Sequence, residues 1–216
     1  MTAETATEWS LDIGLPQWLL IPVAPDNEQE WRSDVAELFT LLVAFDAESR
    51  DLPDLRRSSS HENAVKPLEI DAMVDTLLEF AAGIEPGQRL VAGLAIPGRW
   101  PLPVTVQVSM TSPSAGDLLD SAGCRTGSPI AAPTVDSIDM QRGSSQPDST
   151  VADNGIRVTR FDLDDDGSIW ATVRCARRSD GVEAIVTWRT VELELVAMFS
   201  PWLEQLLDQI HLERAA

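Results

Sequence analysis

The sequence contains no tyrosine, a single lysine (Lys66), two histidines (His61 and His211) and two cysteines (Cys124 and Cys175) in 216 residues. Each shortage removes a class of explanation. Two cysteines make neither a disulfide framework nor an all-cysteine metal site, and no Cys/His group has zinc-ligand spacing. No stretch approaches the roughly 18 apolar residues that a membrane-spanning helix needs. Met1–Ser10 is acidic and polar, without the basic and apolar segments of a signal peptide. The expectation is therefore a cytoplasmic protein with no membrane partner. Phosphate-binding loops of the G-x-x-x-x-G-K-[ST] or G-x-G-x-x-G type are missing, as is a G-x-S-x-G nucleophile elbow. No cofactor and no catalytic residue is assigned.

Positive charge is also scarce. Thirty-five acidic residues face sixteen basic ones, for a formal charge of −19. Such a surface repels phosphate backbones at long range, which argues against nucleic acid as a partner. It keeps the protein soluble and suits neutral or basic partners. All basic residues except Lys66 are arginine, the composition of a G+C-rich bacterial genome. Hydrophobic residues make up 44%, enough for a sizeable core in one domain.

Apolar spacing divides the chain after a loose tail at 1–8. Trp18–Val23 reads as a strand. Asp26 offers a helix cap, with Gln29 placed for a capping box, and Trp31, Val35, Leu38, Phe39 and Leu42 mark one face of a helix over about 27–46. A polar loop over 51–66 precedes a second helix over about 68–82, whose stop is Gly83 followed by Pro86. Arg89–Ile96 is apolar enough for a strand buried on both faces. Val104, Val106, Val108 and Met110 alternate with polar residues, as on a half-buried strand.

Residues 112–155 are irregular and rich in Ser, Pro, Gly and Asp, with a strand expected near 134–140 and a mobile tip at 143–154. Ile156–Leu163 and Ser168–Ala176 predict a hairpin across Asp164–Gly167, and Val182–Arg189 a returning strand. Ser200 as cap and Pro201 at the first helical position predict a last helix over 200–212. Residues 191–199 fit either strand or helix. The sum is one α+β domain over 9–212: a mainly antiparallel sheet of six or seven strands with about three helices on its faces.

Two groups of residues carry candidate chemistry. Asp162-Leu163-Asp164-Asp165-Asp166-Gly167-Ser168-Ile169 matches the first eight positions of a calcium-binding EF-hand loop, with Asp162, Asp164 and Asp166 as candidate ligands. Against that, the position that needs a bidentate glutamate is Val173, and the flanks alternate like strands, so an acidic hairpin is the favoured reading. Tryptophan is unusually common, at seven residues. Trp170 points away from Ala171, Val173 and Cys175, either beneath helices or outward as an interface anchor. Arg99 and Trp100, in the turn Gly98-Arg99-Trp100-Pro101, form a second candidate contact. Cys124 lies beside Arg125 but lacks the arginine spacing of a phosphatase loop. His61 has no organised neighbour in sequence, and His211 suits a helix C-terminus.

WLLIPV before a capped helix, the pair LVAGLAIPG and LPVTVQVSM, and VDSIDMQRG followed by IRVTRFDL resemble small bacterial proteins of unknown function with a PsbP-like α/β/α sandwich. The resemblance covers most of the chain as an order of elements and transfers no functional residue. It implies a central antiparallel sheet and a binding or accessory role. The expectation for function is a non-catalytic adaptor or chaperone-like protein acting through a protein partner. The alternative is a carboxylate-based or Ca²⁺-dependent enzyme using Asp162–Asp166.

Overall fold

A computed structural model of the chain describes residues 9–11, 17–23, 25–50, 69–94, 100–111, 117–125, 129–139, 154–179 and 182–212. The tail at 1–8, the loop with His61, the tip at 143–154 apart from Asn154, and Arg99 lie outside the described residues. In order, the elements are β1 (Trp9–Leu11), β2 (Trp18–Ile21), α1 (Glu28–Arg50), α2 (Ile70–Gly83), β3 (Gln88–Gly93), β4 (Leu102–Met110), α3 (Leu118–Ser121), β5 (Thr134–Asp139), β6 (Asn154–Leu163), β7 (Ile169–Ser179), β8 (Val182–Thr190), α4 (Leu195–Asp208) and β9 (Ile210–Leu212). Seven strands form one antiparallel sheet in the order β2-β3-β4-β8-β7-β6-β5, and β1 pairs with β9. The fold class is α+β, and no described helix is long and apolar enough to cross a membrane.

The chain divides into two compact units. The smaller one, Leu15–Glu85 with Arg89–Pro103, packs Val35 and Phe39 of α1 and Met73, Val74, Leu77 and Ala81 of α2 against Ile21, Leu90 and Ala92. These are the positions that the three-to-four spacing selects. Strand β3 is closed on both faces, with Leu90, Val91 and Ala92 all buried. On the outside, Arg32 ties α1 to α2 through Asp75 at 2.5 Å and also meets Glu28 one turn earlier at 2.8 Å. The helix cap differs from expectation by one residue. Asn27, not Asp26, accepts the Glu30 backbone N–H on Oδ1, and its Nδ2 donates to the Glu30 carboxylate at 2.7 Å. Asparagine and aspartate cap equally well, so composition alone did not choose between neighbours.

The larger unit holds Met1–Gly14, Pro86–Gln88 and Val104–Ala216. Its chain leaves β4, runs to the far edge at β5, and returns as the meander β5-β6-β7-β8, whose last strand pairs with β4. The expected hairpin is present. Gly167 takes a left-handed φ of 84°, which only glycine adopts without strain. The Asp164 N–H donates to the Ser168 carbonyl at 2.9 Å across the turn.

One face of this sheet carries Val104, Val106, Ala171, Val173, Cys175, Ala184, Val186 and Trp188, all essentially inaccessible. Helix α4 closes it with Leu195, Phe199, Leu203, Leu206 and Leu207, and the Trp188 and Phe199 rings meet at 4.8 Å. This helix corrects the sequence reading. It begins at Leu195, and Ser200 and Pro201 lie inside it. The Ser200 hydroxyl donates to the Val196 carbonyl at 2.5 Å instead of capping. The turn before the helix is held by Thr190, whose hydroxyl accepts the Glu192 N–H at 2.9 Å. Burying Leu195 and Phe199 outweighs the hydrogen bond that Pro201 forgoes. The helix ends at Asp208, and Ile210 and His211 continue as β9, paired with Leu11 and Ser10.

Candidate functional site

Pairing register places a different set of residues on the opposite face of the larger unit's sheet. Residues that pair across antiparallel strands point to the same side. One row is Asp162 and Trp170; the next is Arg160, Thr172 and Arg189; the next is Val158, Arg174, Thr187 and Thr105. Below them, Ile156, Ala176, Ile185 and Gln107 form a fourth row, then Arg178, Glu183 and Ser109 a fifth.

Among the described residues, the segment 117–125 packs on this face. Ala122 packs with Val158 and Ala176, joined by Leu118, Cys124, Ile156 and Ile185. Its start is capped by Asp117, whose carboxylate accepts the Asp120 N–H at 2.9 Å. That hydrogen bond, with the Arg125 charge nearby, holds the Asp117 carboxyl below its ordinary value. Arginines on the sheet secure the end of the segment. Arg160 donates to the Gly123 carbonyl and Arg174 to the Ala122 carbonyl, each at 3.3 Å, and Arg178 donates to Ser121 Oγ at 3.4 Å. A helix end presents unpaired carbonyls, and guanidinium groups satisfy them.

The rest of the face is partly open and carries the described arginines most unlike those elsewhere. Trp170 is half-buried, with the Arg189 guanidinium stacked 4.3 Å from its ring centroid. Its indole N–H is buried without a hydrogen-bond partner, a cost that such a group seldom carries in a settled core. Arg178 pairs with the buried Glu183 at 2.5 Å. Arg160 grips both oxygens of Asp162 through Nε at 2.8 Å. Among the described residues, Arg174 has no carboxylate within ion-pair distance and makes a single hydrogen bond, to Ala122. Burial pulls its guanidinium below the usual arginine value, the Arg160 charge adds to that, and Asp162 opposes it.

Trp170, a candidate contact in the sequence, lies half-buried on the face opposite α4. Trp100 is exposed, at 42%, and belongs to the smaller unit. The three candidate calcium ligands are engaged by the chain's own donors. Asp162 sits on strand β6 against the Arg160 guanidinium, Asp164 accepts the Asp165 N–H, and Asp166 accepts the Ser168 N–H at 2.8 Å, which lowers its pKa. The hairpin holds these aspartates in a turn, and a cation already neutralises the first of them. Among the described residues, no group of three or more His, Cys, Asp or Glu side chains is placed to hold a metal ion.

Cys175 lies on the closed face, where burial pushes its thiol up to about 12, and Glu204 adds to the shift while Arg157 opposes it. Cys124 is half-buried in the 117–125 segment. Sequence reasoning missed Arg174, Arg189 and the threonines between them. Each stands in an alternating strand like any other polar residue, and only register assembles them. The chain matches no protein-family model and no curated protein.

Proposed function

We propose that this chain is a non-catalytic accessory protein that holds a protein partner on the open face of the larger unit's sheet. The observation that carries this reading is the Trp170–Arg189 stack on a face that the described residues cover only in part. Tryptophan and arginine are the side chains most often found at the energetic centre of protein interfaces. The ring itself is half-buried and keeps surface for a contact supplied from outside.

The enzyme alternative draws less support. Asp162 is committed to Arg160, and Asp164 and Asp166 hold the hairpin together. Affinity capture with the full chain tests the accessory reading. Wild-type protein is expected to retain a partner that Trp170→Ala and Arg189→Ala both lose while Trp100→Ala keeps it. Arg189 is exposed, so its loss leaves folding intact. An identical set of proteins retained by all four baits contradicts the proposal.

A further inference from the structure

We infer that the outward side of helix α4 is a docking surface for a cationic amphipathic helix of a partner protein, one whose apolar stripe ends in lysine or arginine. This surface is separate from the Trp170 face, so the inference goes beyond the accessory reading and does not depend on it. Ala197, Pro201 and Gln205 follow one another at intervals of four, and Met198 lies beside the first two. Helical geometry puts residues so spaced in one row. All four are exposed, Met198 at 55%. Trp202, four residues after Met198, is half-buried at the margin of the row. The row spans about 12 Å of helix.

The composition of the row sets it apart. Acids run along the exposed sides of α1, at Glu30, Asp34 and Glu37, and of α2, at Asp71, Asp75 and Glu79. The row on α4 holds no charge, although the outward side of a helix packed on a core is ordinarily charged or polar. An apolar row along a helix is the arrangement by which one helix recognises another. Pro201 adds a polar handle. It brings no N–H to the Ala197 carbonyl one turn back, and that carbonyl stands within the exposed row.

Charge selects the occupant. Helix α4 contains no lysine or arginine. Its charged residues are Glu194 at the cap, Glu204 and Asp208, and Glu204 is held by Arg157 at 2.5 Å. Glu194 precedes Met198 by four residues and Asp208 follows Gln205 by three, so an acid stands at each end of the row. A second copy of the chain would set acid against acid whichever way the two helices ran, with −19 on each molecule besides. A foreign helix with an apolar stripe and cationic ends meets apolar surface with apolar surface, the acids with cations, and the Ala197 carbonyl with a donor.

The test uses the full chain and a dye-labelled helical peptide of leucine and lysine, with leucine at three-to-four spacing, followed by fluorescence anisotropy at physiological salt. A peptide of the same composition with its leucines scattered around the helix is one control, and a leucine–glutamate peptide with the original spacing is the other. The patterned lysine peptide is expected to bind at least about tenfold more tightly than either. Met198→Lys and Ala197→Lys each loosen it at least about tenfold, because each sets a cation against the leucine stripe. Ser33→Lys, on the exposed side of α1, makes the same change in net charge and leaves binding unchanged. All three positions are exposed, so the variants fold.

Equal binding of the patterned and scattered peptides overturns the inference, as does equally tight binding of the glutamate peptide or indifference to both α4 substitutions. A chain that sediments alone as a dimer, and as a monomer with Met198→Lys, gives the row to a second copy and overturns it as well. A peptide lost with Trp170→Ala and kept with Met198→Lys belongs to the sheet face, with the same consequence. Peptide binding that needs Met198, in a chain that captures no Trp170-dependent partner, leaves this inference standing and removes the accessory reading of the sheet face.

Discussion

Two half-buried arginines on opposite faces of strands β6 and β7 differ in their company. Arg157, on the face closed by α4, meets Asp136 at 2.8 Å and Glu204 at 2.5 Å. Burial works against its charge, but the Asp136 hydrogen bond and the two carboxylate charges outweigh it, and its pKa rises. Arg174, on the other face, has only a carbonyl, and its pKa falls. The first arginine is fully used by the fold. The second is a cation to which the described residues bring no ion pair. The difference separates a face built for stability from one with bonding capacity to spare, and substitutions on the two faces should diverge accordingly.

The largest effect belongs to the closed face. Leu203 of α4 is completely buried. Leu203→Ala should lower unfolding free energy by about 2–5 kcal/mol, the cost of a core cavity, as read by urea denaturation with an unchanged m-value. A loss below about 1 kcal/mol would place α4 outside the core.

Titration probes the same face. The Cys175 thiol is raised from 9.0 to about 12, so the folded state keeps the proton that the unfolded chain gives up. Its contribution is fully present below pH 9.0 and is lost as pH rises from there through about 12. Within that window the slope should approach about 1.4 kcal/mol per pH unit, and Cys175→Ala should flatten it. A slope unaffected by that substitution would show that the thiol ionises as freely in the fold as outside it.

Arg157→Ala should cost about 1–2 kcal/mol, because two partly buried carboxylates lose their partner. The smallest change is expected on the open face. Thr172→Val, Thr187→Val and Arg174→Met should each stay within about 0.5 kcal/mol of wild type, since none removes a satisfied buried pair. Thermal unfolding of the four variants side by side is the direct comparison. A destabilisation by Arg174→Met equal to that by Arg157→Ala would erase the distinction between the faces.

Much of this architecture is written in local spacing. The alternation of Ala184, Val186 and Trp188 put those three on one face, Asp164–Gly167 marked the hairpin, and Met73, Val74, Leu77 and Ala81 marked α2. Where local signals compete, tertiary burial decided. Ser200-Pro201 reads as a helix start, yet Leu195 and Phe199 belong beneath the same helix and carry it back a full turn and more. The short α3 was hidden in a segment whose composition says loop, and it forms because the sheet offers Val158 and Ala176 for Ala122 to cover.

The candidate site was legible only in part. Period-two alternation put Trp170 on the side opposite Val173, but it carries no information about which side a helix covers. Arg174, Arg189, Thr172 and Thr187 come together through strand pairing, and pairing is a long-range property that no short window of sequence contains.

Nitrogen-15-labelled full-length protein mixed with the partner that affinity capture retains, followed by amide and indole chemical shifts, tests the two-face account most directly. The account predicts shifts centred on Arg189 and the Trp170 indole N–H, with α4 silent. Shifts centred on α4 around Leu203, or an undisturbed Trp170 indole at saturation, would contradict it.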